Sequence, residues 1–124
     1  MIDQVFFYAG AFFVFFWGLA HLFPTRSVVR GFGEISPDNK RIIAMEWIVE
    51  GAALIFIGVL LALATVIDHA AAVARGVYWL SFIMLNALSL ISLFTGFKVH
   101  FLPFRLCPVI FTTASILLLL GLLA

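Results

Sequence analysis

Apolar residues run along this chain in four long blocks separated by short polar links. A membrane-crossing helix needs about 20 mostly apolar residues, and the blocks at 4–23, 37–67, 77–97 and 106–124 qualify. None alternates apolar and polar positions as a barrel strand would. Isolated strands would leave backbone groups unpaired in lipid, whereas helices satisfy their own. Short links favour antiparallel neighbours. The pattern predicts an all-α integral membrane protein, with one transmembrane domain spanning 1–124 and folded as a four-helix up-down bundle.

Local signals mark the boundaries. Ser36 can cap the second helix, Pro37 suits its first position, and Asp38 complements its positive end. Lys40 and Arg41 would then snorkel at the interface. In the same link Val28, Val29 and Phe32 are expected on the membrane surface, with Arg26 and Arg30 toward the headgroups. Pro103 and Pro108 bracket FRLC and mark the start of the fourth helix.

Composition removes the alternative of a soluble domain. The chain is 65% hydrophobic and 10% charged, against about half and a quarter in soluble proteins. The opening MIDQ lacks the basic region that precedes a cleaved apolar core, so the first block is expected as a mature helix. Cys107 is the lone cysteine, which excludes an intrachain disulfide.

Charge placement adds an orientation. The links after the first and third helices hold Arg26, Arg30, Lys40, Arg41, Lys98 and Arg105, six of the seven Lys and Arg residues. Only Arg75 lies in the link between the second and third helices. The positive-inside rule then puts both basic links in the cytoplasm and both termini outside, N-out/C-out, with a bacterial inner membrane as the expected location.

Against this apolar background "MEWIVEG", Met45 to Gly51, stands out. Glu46 and Glu50 are one turn apart on one helical face, in the cytoplasmic half of the second helix. Intramembrane charge rarely faces lipid, so that face is expected to point into the bundle. Burial and a neighbouring carboxyl both favour the neutral acid, which makes the pair protonatable. The same helix carries small residues at intervals of seven, Ala44, Gly51, Gly58 and Thr65, a spacing that permits close helix approach.

Other polar groups fall at a similar depth. His21 ends the first helix. Asn86, Ser89, Ser92 and Thr95 form a ridge on the third, and Thr112, Thr113 and Ser115 lie on the fourth. Trp17 and Trp47 are candidate pocket walls. Each also has a plain structural reading. Ser and Thr bond back to their own helix, Asn86 suits an interhelical hydrogen bond, and the tryptophans suit an interfacial belt. The ligand- or proton-binding candidates are Glu46, Glu50, His21, Asn86, Ser89, Trp47 and Trp17.

Several chemistries lack a signal. There is no nucleophile elbow, and Cys107 has no base beside it in sequence. No HxxxH or ExxH pair marks a metal site, and His100 sits in a link, a poor place for haem ligation with His21. No cofactor is expected. Topology explains the basic residues, so no nucleic-acid partner is expected either.

The plan of four helices with an intramembrane Glu beside Trp resembles the DoxX-like group and the sterol-isomerase-related four-helix proteins. The latter resemblance implies a hydrophobic ligand and intramembrane acidic residues. The stretches DNKRIIAMEWIVEG and LSLFTGFKVHFLPFRLCP resemble motifs of a bacterial four-helix membrane family, which implies no activity. Small multidrug exporters share the size, but their essential glutamate belongs to the first helix and their charge bias is weak.

The leading expectation is a polar, protonatable pocket in the cytoplasmic half that takes a hydrophobic or amphiphilic small molecule, a lipid, or a proton. The alternatives are an intramembrane isomerase or redox-accessory enzyme with Glu50 as acid/base, a structural accessory subunit, and a small proton-coupled exporter. A homo-oligomer or a place in a larger membrane complex is compatible with each.

Cysteine labelling in intact cells checks the orientation. Ala71→Cys should react with an impermeant reagent from outside, while Ser36→Cys stays protected. The reverse pattern would invert the assignment.

Overall fold

The computed structural model describes residues 1–124, and five α-helices and one 3₁₀ turn account for nearly all of them: α1 (Ile2–Leu22), α2 (Thr25–Gly31), α3 (Pro37–Asp68), α4 (Ala72–Phe94), the turn Gly96–Lys98, and α5 (Leu102–Leu123). There are no strands. Four segments are long and apolar enough to cross a membrane: α1, α3, α5, and α4 together with the turn that follows it. Their outer faces carry exposed Phe12, Phe16, Phe56, Leu63, Ile83 and Leu120, as expected of surfaces that face lipid rather than water.

The local signals explain most of the ends. Ser36 Oγ accepts from Asn39 N at 3.1 Å, with Pro37 in the first turn of α3. At ~1.5 Å per residue the 32 residues of α3 span about 48 Å, more than a hydrocarbon core of about 30 Å. Its first turns therefore have room to project beyond the apolar layer.

Three boundaries differ from the hydropathy reading. α4 starts at Ala72 rather than near residue 77, because Arg75 is not a break: its guanidinium donates to Leu122 O at 3.3 Å, near the end of α5. α4 stops at Phe94, three residues early. Thr95 leaves the helical region and its hydroxyl donates to Ile91 O at 2.6 Å. α5 starts at Leu102, four residues early, with Pro103 in the first turn and Pro108 inside the helix. Proline is tolerated in a first turn because the N–H there has no partner anyway.

Packing is uneven. α1 lies between α3 and α5, and α4 packs on the far side of α5. α3 and α4, joined by a short turn, touch little. Their contact is near that turn, where Thr65 Oγ1 and Tyr78 OH share a 3.0 Å hydrogen bond and Phe7 stacks on Tyr78 at 3.8 Å. The same end is tied by Gln4 Nε2 to His69 Nδ1 at 2.9 Å and by His69 Nε2 to Asp3 Oδ2 at 3.1 Å. Farther along, α4 withdraws. Ala74, Tyr78, Ser81 and Leu85 are buried, but nothing from Leu88 to Phe94 is.

The tightest contact joins α1 to α3. A methyl group at Gly58 would fall 2.6 Å from Phe15 Cβ and 2.7 Å from Phe15 N. One at Gly18 would meet Ile55 N at 2.7 Å and Gly51 O at 2.8 Å. The two backbones are in contact, which only small residues allow. The seven-residue spacing on α3 therefore serves close packing at Gly51 and Gly58, whereas Thr65 turns to α4.

Because backbone atoms of α1 oppose Gly58, a Gly58→Leu substitution must separate the helices, a change costing ~1–3 kcal/mol by analogy with overpacked cores. Gly76→Ala, inside α4 where nothing lies within 4 Å, should leave stability unchanged or raise it by up to about 1 kcal/mol. Thermal unfolding of both variants in lipid nanodiscs checks the contrast.

Candidate functional site

Where α1 ends and α3 begins, the close approach of their backbones brings three side chains together. His21, in the last turn of α1, is buried, and its ring stacks on Trp47 with centroids 3.8 Å apart and planes 18° from parallel. Trp47 Nε1 donates to His21 O, and the indole meets Phe104 of α5 edge-on at 5.2 Å. One turn further along α3, Glu50 Oε2 lies 3.2 Å from His21 Nε2. The approach is close enough for an ion pair but is not aligned as a hydrogen bond, so Nε2 is buried without a hydrogen-bond partner.

The side-chain exposures are 3% for His21 and 46% for Glu50. The carboxylate thus has its open side somewhere other than against the imidazole. That side is a cavity of about 740 Å³ in the gap left by α4. α2 contributes Ser27 and Val28 to it, with Phe32 just beyond its end, α4 contributes Leu88 and Ser92, with Thr95 just beyond its end, and α5 contributes Phe104, Cys107 and Phe111. The volume lies in the range of small-molecule sites, ~300–1,000 Å³. Apolar walls with a few polar groups are the usual make-up of such sites. A shallower groove of about 440 Å³ along α1 and α3 is lined by residues such as Tyr8, Phe12 and Val66 and contains no charged group to orient a ligand.

Of the sequence candidates, His21 and Glu50 line the cavity, and Trp47 stands directly behind His21. Glu46 is exposed, does not line the cavity and has no ion-pair partner. Helical geometry explains the split. Trp47, Gly51, Leu54, Gly58, Leu61 and Thr65 form the narrow buried stripe of α3. At ~100° per residue Glu50 lies about 60° from its centre and Glu46 about 100°. Glu50 is at the rim of the interface and Glu46 is outside it.

The remaining candidates lie elsewhere. Asn86 Nδ2 donates to Phe82 O of its own helix at 2.8 Å. Ser89 Oγ donates to Pro108 O at 3.2 Å and pairs with Thr112 Oγ1 at 2.7 Å, linking α4 to α5. Trp17 is half-buried against the core, with its indole N–H buried and unpartnered. Two other members of the polar ridge, Ser92 and Thr95, reach the cavity instead.

Most of the lining carries no polar signal in the sequence, and three of its residues show why it was missed. Val28, expected on the membrane surface, is buried, and Phe32 lines the cavity. Cys107, whose thiol donates to Pro103 O at 3.4 Å, completes the wall from α5. Apolar residues in a basic link look interfacial until the helix they belong to is seen folded over a gap. No third His, Cys, Asp or Glu joins His21 and Glu50 in a metal-binding group. No protein-family model, curated protein or solved structure matches this chain.

The Trp47 contact makes a direct prediction. Trp47→Phe keeps a ring against His21 but leaves the buried His21 O without its donor, and should cost ~1–3 kcal/mol. Trp47→Ala removes the stack as well and should cost ~3–5 kcal/mol. Chemical unfolding in a mild detergent measures both.

Proposed function

We propose that this chain is an inner-membrane protein of up-down topology, with both termini outside, whose cavity between α3 and α4 binds a hydrophobic or amphiphilic small molecule. Glu50 and His21 form the polar end of the site, and the apolar walls from α4 and α5 receive the rest of the ligand. The observation that carries this reading is the meeting of a half-exposed carboxylate and a buried, unpartnered imidazole nitrogen on the wall of a cavity of about 740 Å³. A carboxylate at depth in a membrane helix costs on the order of 2.5–3.5 kcal/mol even on the gentler scale. A polar ligand group or a bound proton offsets that cost.

Contacts at the helix ends support the topology. Gln4 meets His69 and Arg75 meets Leu122 at one end, while His21 meets Glu50 and Ser89 meets Pro108 at the other. The runner-up, an intramembrane isomerase with Glu50 as acid/base, draws on the same His21–Glu50 contact, since two groups this close can pass a proton.

Dodecan-1-ol tests the cavity without relying on charge. Added to the protein in phosphatidylcholine nanodiscs, it should raise the unfolding temperature. Saturation at a hundredfold over Kd corresponds to about 2.7 kcal/mol. Ser92→Phe, which fills the cavity from α4, should fold and lose the effect. Equal stabilisation of the parent and Ser92→Phe would place the alcohol elsewhere and defeat the proposal.

A further inference from the structure

We infer that the cavity selects an amphiphile with a cationic amine head over one with an anionic head, an inference that rests on the ligand-binding reading above. The first argument is charge. Glu50 lines the cavity and no Lys or Arg does. The basic side chains are engaged or outside. Arg41 pairs with Asp38 at 3.3 Å, Arg105 lies over the Phe97 ring at 5.3 Å, and Arg75 is held by Leu122 O at the opposite end. Arg26, Arg30, Lys40 and Lys98 are exposed and do not line the cavity. With Glu50 ionised and His21 neutral, the site carries one negative charge. With His21 protonated, the two cancel. In neither state is there a surplus positive charge to hold a carboxylate or phosphate head.

The second argument is hydrogen-bond polarity. The hydroxyl of Ser92 donates to Ser89 O at 3.0 Å, and that of Thr95 donates to Ile91 O at 2.6 Å. Each hydroxyl has one proton, so both offer only lone pairs to a ligand. Glu50, when ionised, also only accepts. The donors are at most two, His21 Nε2 beside Glu50 and the hydroxyl of Ser27. The polar lining is therefore rich in acceptors and poor in donors. An ammonium head, with donors and no acceptor, complements it. A carboxylate head, which only accepts, does not. The apolar walls formed by Leu88, Phe104 and Phe111 suit an alkyl or aryl body attached to that head.

Dodecylamine, dodecan-1-ol and dodecanoate share a chain and differ in the head. Their affinities for the full-length protein in phosphatidylcholine nanodiscs follow from the concentration dependence of the unfolding temperature. Dodecylamine should bind at least about tenfold more tightly than dodecanoate, a ranking that needs no variant. Glu50→Gln should bring the amine down to the level of the alcohol and leave the alcohol unchanged. Glu46→Gln, on the same helix but outside the cavity, should bind all three as the parent does. If dodecanoate binds as tightly as dodecylamine, or if Glu46→Gln weakens the amine as much as Glu50→Gln, the inference is wrong. Equal binding of the three heads that Ser92→Phe abolishes would overturn the selectivity and keep the cavity as a site. No stabilisation by any of them would overturn both.

Discussion

The contact of two helix backbones at Gly18, Gly51 and Gly58 is the constraint on which the rest depends. In a bilayer there is little hydrophobic driving force between helices, so association rests on packing and interhelical hydrogen bonds. A single methyl group at Gly18 or Gly58 would meet backbone atoms at 2.7–2.8 Å, so the axial register of α1 against α3 has little freedom. That register sets the last turn of α1 beside the first apolar turns of α3. It stacks His21 on Trp47, lets the indole N–H satisfy the His21 carbonyl, and puts Nε2 within 3.2 Å of Glu50. A shift of one residue along either helix would turn these side chains away from one another.

The second half of the architecture follows from what α4 does not do. It is bound to α5 by Ser89, through Pro108 O and Thr112, and to α3 only near their shared turn, through Thr65 and Tyr78. Between those fastenings and its C-terminus α4 buries no residue after Leu85. Close packing on one side of α3 and withdrawal on the other leave a gap that is open along Glu50. α2 folds over it, with Val28 turned inward and Phe32 on its wall. The cavity is thus a product of unequal packing in the bundle, with α1 tight against α3 and α4 loose.

Energetics sort the polar groups into two kinds. Asn86, Ser89, Thr113 and Ser115 donate to carbonyls at 2.8–3.2 Å, so they cost little in an apolar setting and demand no ligand. His21 Nε2 lacks such a partner, and Glu50 accepts no hydrogen bond aligned with it. An unsatisfied buried polar atom costs ~1–3 kcal/mol, more when charged. The fold carries that cost at two atoms, the Trp17 indole N–H and His21 Nε2, and only the second lies on the wall of the cavity, where a polar ligand group would relieve it.

The sequence by itself determined what depends on neighbours within the chain. Long apolar blocks specify four helices able to cross a membrane, because backbone groups in lipid must be satisfied within the segment. Ser36, Pro37 and Asp38 specify the start of α3, because capping acts over one turn. The heptad of small residues specified a face for close approach. Proline and arginine misled at the starts of α5 and α4, since a first-turn proline is neutral and Arg75 finds its partner 47 residues away at Leu122. Only the tertiary structure separated Glu50 from Glu46. They lie about 40° apart around one turn of helix, and sequence spacing alone gives both the same face. What divides them is where the edge of the α1 contact falls. That edge is set by Gly18 against Ile55 and Gly51, atoms on two helices whose relative rotation no stretch of either one encodes.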